Sequence, residues 1–199
     1  VSPRTISVHS NATLETTTHS LGGLGGSFYQ PVITLNGGAT WQMDAEQYLS
    51  GGNLVLNGAR ILIQANDLRL QGGTVAINSS ALPSTITGGG TITLYGNSTF
   101  NVANGPLATD ASIDVPIGNS GNRTFTKSGT GTLAIKAPAT YYGPTTISAG
   151  TLSLLGGKDT LPQAMSVSIG SGAMLALNNS DQTLSSLTGN GNVQLGYGT

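Results

Sequence analysis

Apolar and polar residues alternate along most of the chain, in short runs bounded by glycine and asparagine. A period of two places successive side chains on opposite faces of a strand, so the pattern predicts β-strands rather than helices. A five-residue motif, small–polar–apolar–any–apolar, recurs at starts 17 to 22 residues apart: Gly52, Gly73, Gly90, Ala111, Gly131, Gly150, Gly172 (where it is one residue longer) and Gly191. This recurrence predicts an all-β solenoid, a parallel β-helix with about 20 residues per rung.

In such a fold each rung lies on its predecessor at about 4.8 Å, and the two apolar positions of the motif form internal columns. One predicted column comprises Leu54, Val75, Ile92, Ile113, Leu133, Leu152, Leu175 and Val193. The other comprises Leu56, Ile77, Leu94, Val115, Ile135, Leu154, Leu177 and Leu195. A single rung cannot bury its own inner face, so stability must come from the rungs above and below it.

Between Leu54 and Ile77 the apolar pairs recur every seven residues, which predicts three short sides per rung with corners at 57–58, 65–66 and 72–73. An antiparallel meander is the alternative, because Asn57-Gly58 is also a strong hairpin signal. The recurrence over the whole chain favours the solenoid. Residues 1–51 fit the repeat poorly and are predicted to be an irregular N-terminal cap or docking segment, whereas residues 52–199 form the rungs.

Composition narrows the classes of function. Charged residues make up only 8% of the chain and the net charge is −1, so nucleic acid is not an expected partner. Cysteine is absent, and stacked rungs must replace disulfide bonds as the source of stability. No apolar stretch reaches the length of a membrane helix, so the chain is not expected to be membrane-embedded.

Residues 128–154 resemble the autotransporter-associated β-strand repeat, which is found in passenger domains of Gram-negative bacteria and in other large bacterial surface proteins. The matching positions are Gly129, Gly131, Thr132, Leu133, Thr140, Tyr141, Gly143, Thr145, Ile147, Gly150, Thr151 and Leu152. Tyr142 and Pro144 depart from the small residues or threonine usual at their positions. The resemblance covers residues 123–196 well and 52–122 in general character, and it implies a right-handed β-helix outside the cell without catalytic residues.

Polysaccharide lyases and glycosidases also use β-helices, and their sites need clustered carboxylates. The closest acidic pairs here are Asp44/Glu46 and Asp110/Asp114. We interpret the first pair as solvated charges. Asp114 is expected on an outer face, in a surface ion pair with Arg69 or Lys136.

The sequence contains few residues that could bind a metal or a ligand. His9 and His19, with Glu15 between them, are the only histidines, and no cysteine could complete a metal site. We therefore predict no catalytic residue, no metal and no cofactor. Trp41 and Tyr142 are the candidate ligand contacts, because aromatic rings can stack on sugars.

The sequence thus predicts a secreted or cell-surface structural β-solenoid, a rod or filament-forming segment for surface display and adhesion, and not an enzyme. A glycan- or host-binding adhesin module is one alternative, and a polysaccharide lyase or glycosidase on a β-helix is the other. Open ends of a solenoid expose unpaired strand edges, so self-association or continuation into further rungs is expected.

Overall fold

Every strand pairing in the computed structural model is parallel; the model describes residues 4–19, 21, 31–49 and 51–196. Sheet A contains β1 (Thr5–Val8), β3 (Val32–Leu35), β6 (Leu54–Leu56), β9 (Gly73–Ile77), β12 (Ser98–Val102), β15 (Phe125–Ser128), β17 (Thr145–Ile147), β19 (Met165–Ile169) and β21 (Leu184–Gly189). Sheet B contains β2 (Thr13–Thr16), β4 (Thr40–Met43), β7 (Arg60–Ile63), β10 (Ser84–Gly88), β13 (Ala111–Ile113), β16 (Thr132–Ile135), β18 (Thr151–Leu154), β20 (Met174–Ala176) and β22 (Asn192–Gln194). Sheet C contains β5 (Gln47–Leu49), β8 (Asp67–Leu70), β11 (Thr91–Leu94) and β14 (Ile117–Asn119), and one 3-10 turn spans Gly51–Asn53. The predicted β-solenoid is confirmed.

The three-sided rung predicted from the seven-residue spacing is also confirmed. The chain runs through β6, β7, β8 and β9, that is, from sheet A to B to C and back to A. Strand β9 then lies on β6, with Leu56 opposite Ile77. The antiparallel meander is therefore wrong, because Asn57-Gly58 turns the chain into the next side of the rung and not back along the same sheet.

The rungs average about 23 residues, slightly more than the spacing of the motif. The reason is that the five-residue motif occurs on all three sides: Gly73 begins a strand of sheet A, Gly90 precedes one of sheet C, and Ala111 begins one of sheet B. Each side of a rung needs the same alternation of inward and outward residues, so each side can carry the motif. The distance between two successive motifs therefore equals the length of a rung only where both motifs lie in the same sheet. Register offsets within sheet B range from 18 residues (Leu175 to Val193) to 27 (Ile86 to Ile113).

The predicted columns need a matching correction. From Leu133 onward the first column is confirmed, since Leu133, Leu152, Leu175 and Val193 are register partners in sheet B. Upstream the column changes sheets: Val75 lies opposite Phe100, and Ile92 opposite Leu68 and Ile117. Ile113 lies opposite Ile135 and not Leu133. The interior is nevertheless one continuous apolar core.

Polar side chains stack at one corner between sheets A and B. The Asn57 amide donates to the Asn36 Oδ1 (3.0 Å) and accepts from the Asn78 Nδ2 (2.8 Å), so one asparagine per rung continues the chain of bonds. Gly58 follows with φ +65°, and a Cβ atom there would lie 2.2 Å from the Ser80 Oγ and 2.7 Å from the Leu82 carbonyl oxygen. The corner therefore requires glycine both for its conformation and for its space.

The described part of residues 1–51 contains β1 to β5, which belong to the same three sheets as the later strands. Thr40–Met43 forms β4 of sheet B. Whether this segment acts as a cap or docks a partner stays a prediction. No helix in the described ranges is long and apolar enough to cross a membrane.

Candidate functional site

Two neighbouring tyrosines point in opposite directions just before β17. The chain is extended here, so successive side chains alternate between the core and the solvent. Tyr141 is 1% exposed, its ring stacks on Phe125 at 5.7 Å, and its hydroxyl lies 2.5 Å from the Thr145 Oγ1. Burial raises the pKa of Tyr141, although the Thr145 hydrogen bond opposes this shift. Tyr142 is 69% exposed. Tyr141 therefore anchors the segment and leaves Tyr142 on the surface.

A groove of about 350 Å³ runs beside Tyr142. It is lined by Pro138, Ala139, Thr140, Tyr141, Tyr142, Asp159, Pro162, Gln163 and Met165. Residues 138–142 of the groove belong to the middle of the segment 128–154 that resembles the passenger repeat. An exposed aromatic ring next to a carboxylate and an amide is a combination that can stack on a sugar ring and bind its hydroxyl groups.

Asp159 is the charged group of this groove, and its carboxylate is held in place. Oδ1 accepts a hydrogen bond from the Thr183 backbone N–H (2.9 Å), and Oδ2 accepts one from the Gln163 Nε2 (2.9 Å). Desolvation acts to raise the pKa of Asp159, but the hydrogen bonds from Thr183 and Gln163 and the charge of Lys158 together outweigh it and lower that pKa. The groove thus presents a negative charge at neutral pH. Sequence reasoning missed Asp159 because it follows no strand period; its φ of +50° is visible only in the structure.

Trp41, the other candidate ligand contact, lies in the core with 0% exposure. In sheet B it lies between Leu14 and Ile61, and its Nε1 donates to the Thr16 Oγ1 at 3.2 Å. No face of the indole is open to a sugar. The alternation of Thr40–Met43 accounts for this, because it places Trp41 and Met43 on the inner face together.

Arg69 is the centre of a charged cluster on the outer face of sheet C. It forms ion pairs with Glu46 and, at 3.6 Å, with Asp67, and it donates a hydrogen bond to the Tyr48 hydroxyl. Its guanidinium also lies 5.0 and 5.3 Å from the ring centroids of Tyr48 and Tyr95. Desolvation would lower the pKa of Arg69, but Glu46 and the tyrosines outweigh it and raise that pKa. Glu46 is therefore not a freely solvated charge, and Arg69 does not pair with Asp114.

The other predicted acidic residues have structural partners. Asp114 forms the expected surface pair with Lys136 (3.2 Å). Asp110 is 7% exposed and accepts hydrogen bonds from the backbone N–H groups of Gly105 (2.7 Å) and Thr132 (2.8 Å), so it closes the loop that joins β12 to β13. No group of three or more potential metal ligands occurs among residues 4–19, 21, 31–49 and 51–196.

Lys127 is a buried charge that the sequence reasoning did not single out. It lies between Phe100 and Ile147 in sheet A, is 0% exposed, and donates from Nζ to the carbonyl oxygens of Ser128 (2.8 Å), Gly129 (2.8 Å) and Ala149 (3.0 Å). Desolvation lowers the pKa of Lys127 to about 8, and the charge of Asp110 opposes this shift. Its position two residues after the buried Phe125 is the sequence signal that could have placed it inside.

Comparison with known proteins gives one match. The family model of the passenger-associated-transport-repeat matches residues 125–154, which span β15 to β18 and include Lys127, Tyr141 and Tyr142. No curated protein and no solved structure matches the chain. The repeat is a structural passenger repeat rather than a catalytic one. The chain is therefore a β-solenoid in which residues 125–154 are similar to the passenger-associated-transport-repeat.

Proposed function

We propose that this chain is a secreted or cell-surface structural β-solenoid, a rod that serves surface display and adhesion. The observation that carries the proposal is the coincidence of the passenger repeat at 125–154 with one uninterrupted parallel core. Each nine-stranded sheet spans about 40 Å at the usual strand spacing. Such a rod holds its ends apart without disulfide bonds, since the chain has no cysteine.

Localisation on the producing cells provides the direct test. Antibodies raised against the purified 199-residue chain should label intact cells, and external protease should remove that label. Labelling that requires permeabilised cells would contradict a surface location. An antibody against a cytoplasmic protein of the same cells is the matched control for cell integrity.

We further propose that another parallel rung covers the last described one, contributed by a second copy or by further rungs. Three apolar side chains of the last rung are exposed: Leu187 (49%), Val193 (37%) and Leu195 (72%). Strands β21 and β22 each pair on one side only within the described chain. Unpaired edges of this kind are templates for strand addition.

Light scattering during gel filtration tests this assembly on the isolated chain. We expect a mass that rises with protein concentration, and a monomer when Leu187 and Leu195 are both replaced by glutamate. Leu82→Glu is the matched control, because Leu82 is equally exposed (50%) but lies away from the end. A wild-type chain that stays monomeric at every concentration would contradict self-association.

A glycan-binding adhesin is the second candidate function, favoured by the exposed ring of Tyr142 beside the 350 Å³ groove. The ionised Asp159 makes a neutral or amine-bearing sugar a better ligand than a uronic acid polymer. Binding of the labelled chain to a glycan array should fall in Tyr142→Ala and persist in Leu155→Ala, a control with 48% exposure outside the groove. Equal binding by both variants would contradict this site.

A further inference from the structure

Four asparagines of the chain are followed directly by glycine: Asn36, Asn57, Asn104 and Asn190. This dipeptide is chemically fragile, because glycine has no Cβ atom to keep its backbone nitrogen away from the asparagine side chain. When that nitrogen attacks the asparagine Cγ atom, a succinimide ring closes and ammonia is released. The four sites differ in their surroundings, and these differences indicate which of them reacts.

Asn36 and Asn57 are held by hydrogen bonds at the corner between sheets A and B. The Asn57 Nδ2 donates to the Asn36 Oδ1 (3.0 Å), and the Asn57 Oδ1 accepts from the Asn78 Nδ2 (2.8 Å). The Asn36 Nδ2 donates to the Val8 carbonyl oxygen (2.9 Å). Both carboxamides are thus fixed at their oxygen and at their nitrogen. Rotation toward the following glycine would break these bonds, so both sites are protected.

Asn104 and Asn190 have no such restraint. Both are exposed, and neither side chain forms a hydrogen bond with another residue that the structure describes. Asn104 lies in the loop that joins β12 to β13, and Asn190 lies in the turn between β21 and β22. Their carboxamides are free to rotate over the nitrogen of the next residue. The two sites differ in the partner of that nitrogen.

A carboxylate faces the nitrogen at the first of these sites. The Gly105 N–H donates to the Asp110 Oδ1 at 2.7 Å, a distance at which a carboxylate can remove the proton as a general base. The other Asp110 oxygen accepts from the Thr132 N–H (2.8 Å), so the carboxylate is held in place. The Gly191 N–H donates instead to the weakly basic Ile169 carbonyl oxygen (3.1 Å). Because an N–H bond lies in the peptide plane and the nitrogen attacks perpendicular to it, the bond to Asp110 leaves the attack open.

We propose that Asn104 is a self-modifying site, at which Asp110 acts as the general base for succinimide formation with Gly105. Asp110 takes the proton of the Gly105 nitrogen, this nitrogen bonds to the Asn104 Cγ, and the side-chain amide leaves as ammonia with the proton that Asp110 returns. Water then opens the ring, at Cγ to give aspartate or at the backbone carbonyl carbon to give isoaspartate. In total one water is consumed, one ammonia is released, and the loop gains a negative charge. This chemistry is independent of the Tyr142 groove and of the location of the protein.

Incubation of the full 199-residue chain in dilute neutral solution tests the proposal. Proteolysis and mass spectrometry at successive times measure the conversion at each of the four sites, and labelling by an isoaspartate methyltransferase identifies the isoaspartate product. Asn104 should convert about a hundredfold faster than Asn190, the equally exposed site without a carboxylate, because a positioned general base contributes at least this factor. Asn36 and Asn57 should remain amides.

The variant Asp110→Asn keeps a side-chain oxygen that can accept the N–H bonds but removes the base. It should slow the conversion of Asn104 about a hundredfold and leave Asn190 unchanged. Asp114→Asn removes a neighbouring carboxylate that is paired with Lys136, and as the matched control it should alter neither rate.

The proposal is overturned if Asn104 converts no faster than Asn190, or if a folded Asp110→Asn chain converts Asn104 at the wild-type rate. Circular dichroism establishes whether the variant is folded. A second measurement needs only the wild-type chain: phosphate, an external base, should accelerate Asn190 but not Asn104, where Asp110 already supplies the base. Equal acceleration of both sites by phosphate would also overturn the proposal.

Discussion

Lys127 allows a quantitative test of how the core tolerates a charge. Its ammonium is fully buried, and the pKa falls from 10.5 to about 8 in the folded chain. Because the folded pKa is the lower one, the unfolded chain binds the proton more tightly between pH 8 and 10.5. The charged side chain therefore destabilises the fold fully below pH 8, and this destabilisation disappears as the pH rises through that window.

The expected change follows from linkage. Between pH 7 and pH 9.5 the free energy of unfolding should rise by about 2 kcal/mol through Lys127 alone. This value is an upper limit, because the three carbonyl oxygens of Ser128, Gly129 and Ala149 stabilise the ammonium. The variant Lys127→Met keeps an unbranched apolar side chain, one heavy atom shorter, and removes the charge, so this part of the pH dependence should vanish.

Urea unfolding of both proteins at the two pH values measures the effect. Circular dichroism follows all rungs, and the fluorescence of Trp41, the only tryptophan, follows the second rung. Agreement between the probes justifies one free energy of unfolding, whereas disagreement would show that rungs unfold separately. Equal pH dependence in wild type and Lys127→Met would refute the reasoning.

Three further substitutions test the core, a corner and the surface. Leu152→Ala should lower the free energy of unfolding by about 2–5 kcal/mol, against less than about 0.5 kcal/mol for Leu155→Ala, which is a matched exposed leucine. Asn57→Ala removes two side-chain hydrogen bonds of the corner. It should lower the free energy of unfolding by about 1 kcal/mol, measured by chemical unfolding. Asp114→Asn breaks an exposed ion pair with Lys136 and should change the thermal midpoint little, with a loss below about 1 kcal/mol. A large loss in Asp114→Asn, or none in Leu152→Ala, would contradict these assignments.

The fold could be predicted from the sequence because every rung must bury an inner row of apolar side chains against its neighbours, which produces the same alternation each time. Alternation predicted inward positions such as Leu133 and Leu152, and their pairing is confirmed. It could not identify the sheet, since each of the three sides requires the same alternation; Ile92 was therefore placed in the wrong column. The groove was not predictable either. Asp159 reaches it through a left-handed backbone conformation in a loop, and such geometry leaves no periodic trace in the sequence.

The loop closed by Asp110 shows that the number of residues in a rung can vary without changing which residues face each other in neighbouring strands. Strand β13 lies on β10 at an offset of 27 residues, yet Ile86 still faces Ile113 across the sheet, as Leu133 faces Leu152 at an offset of 19. The additional chain bulges outward where two sides meet, and its closure entropy grows only slowly with its length. A foreign peptide inserted after Pro106 would thus be carried on the flank of the rod while the columns beneath it keep their alignment.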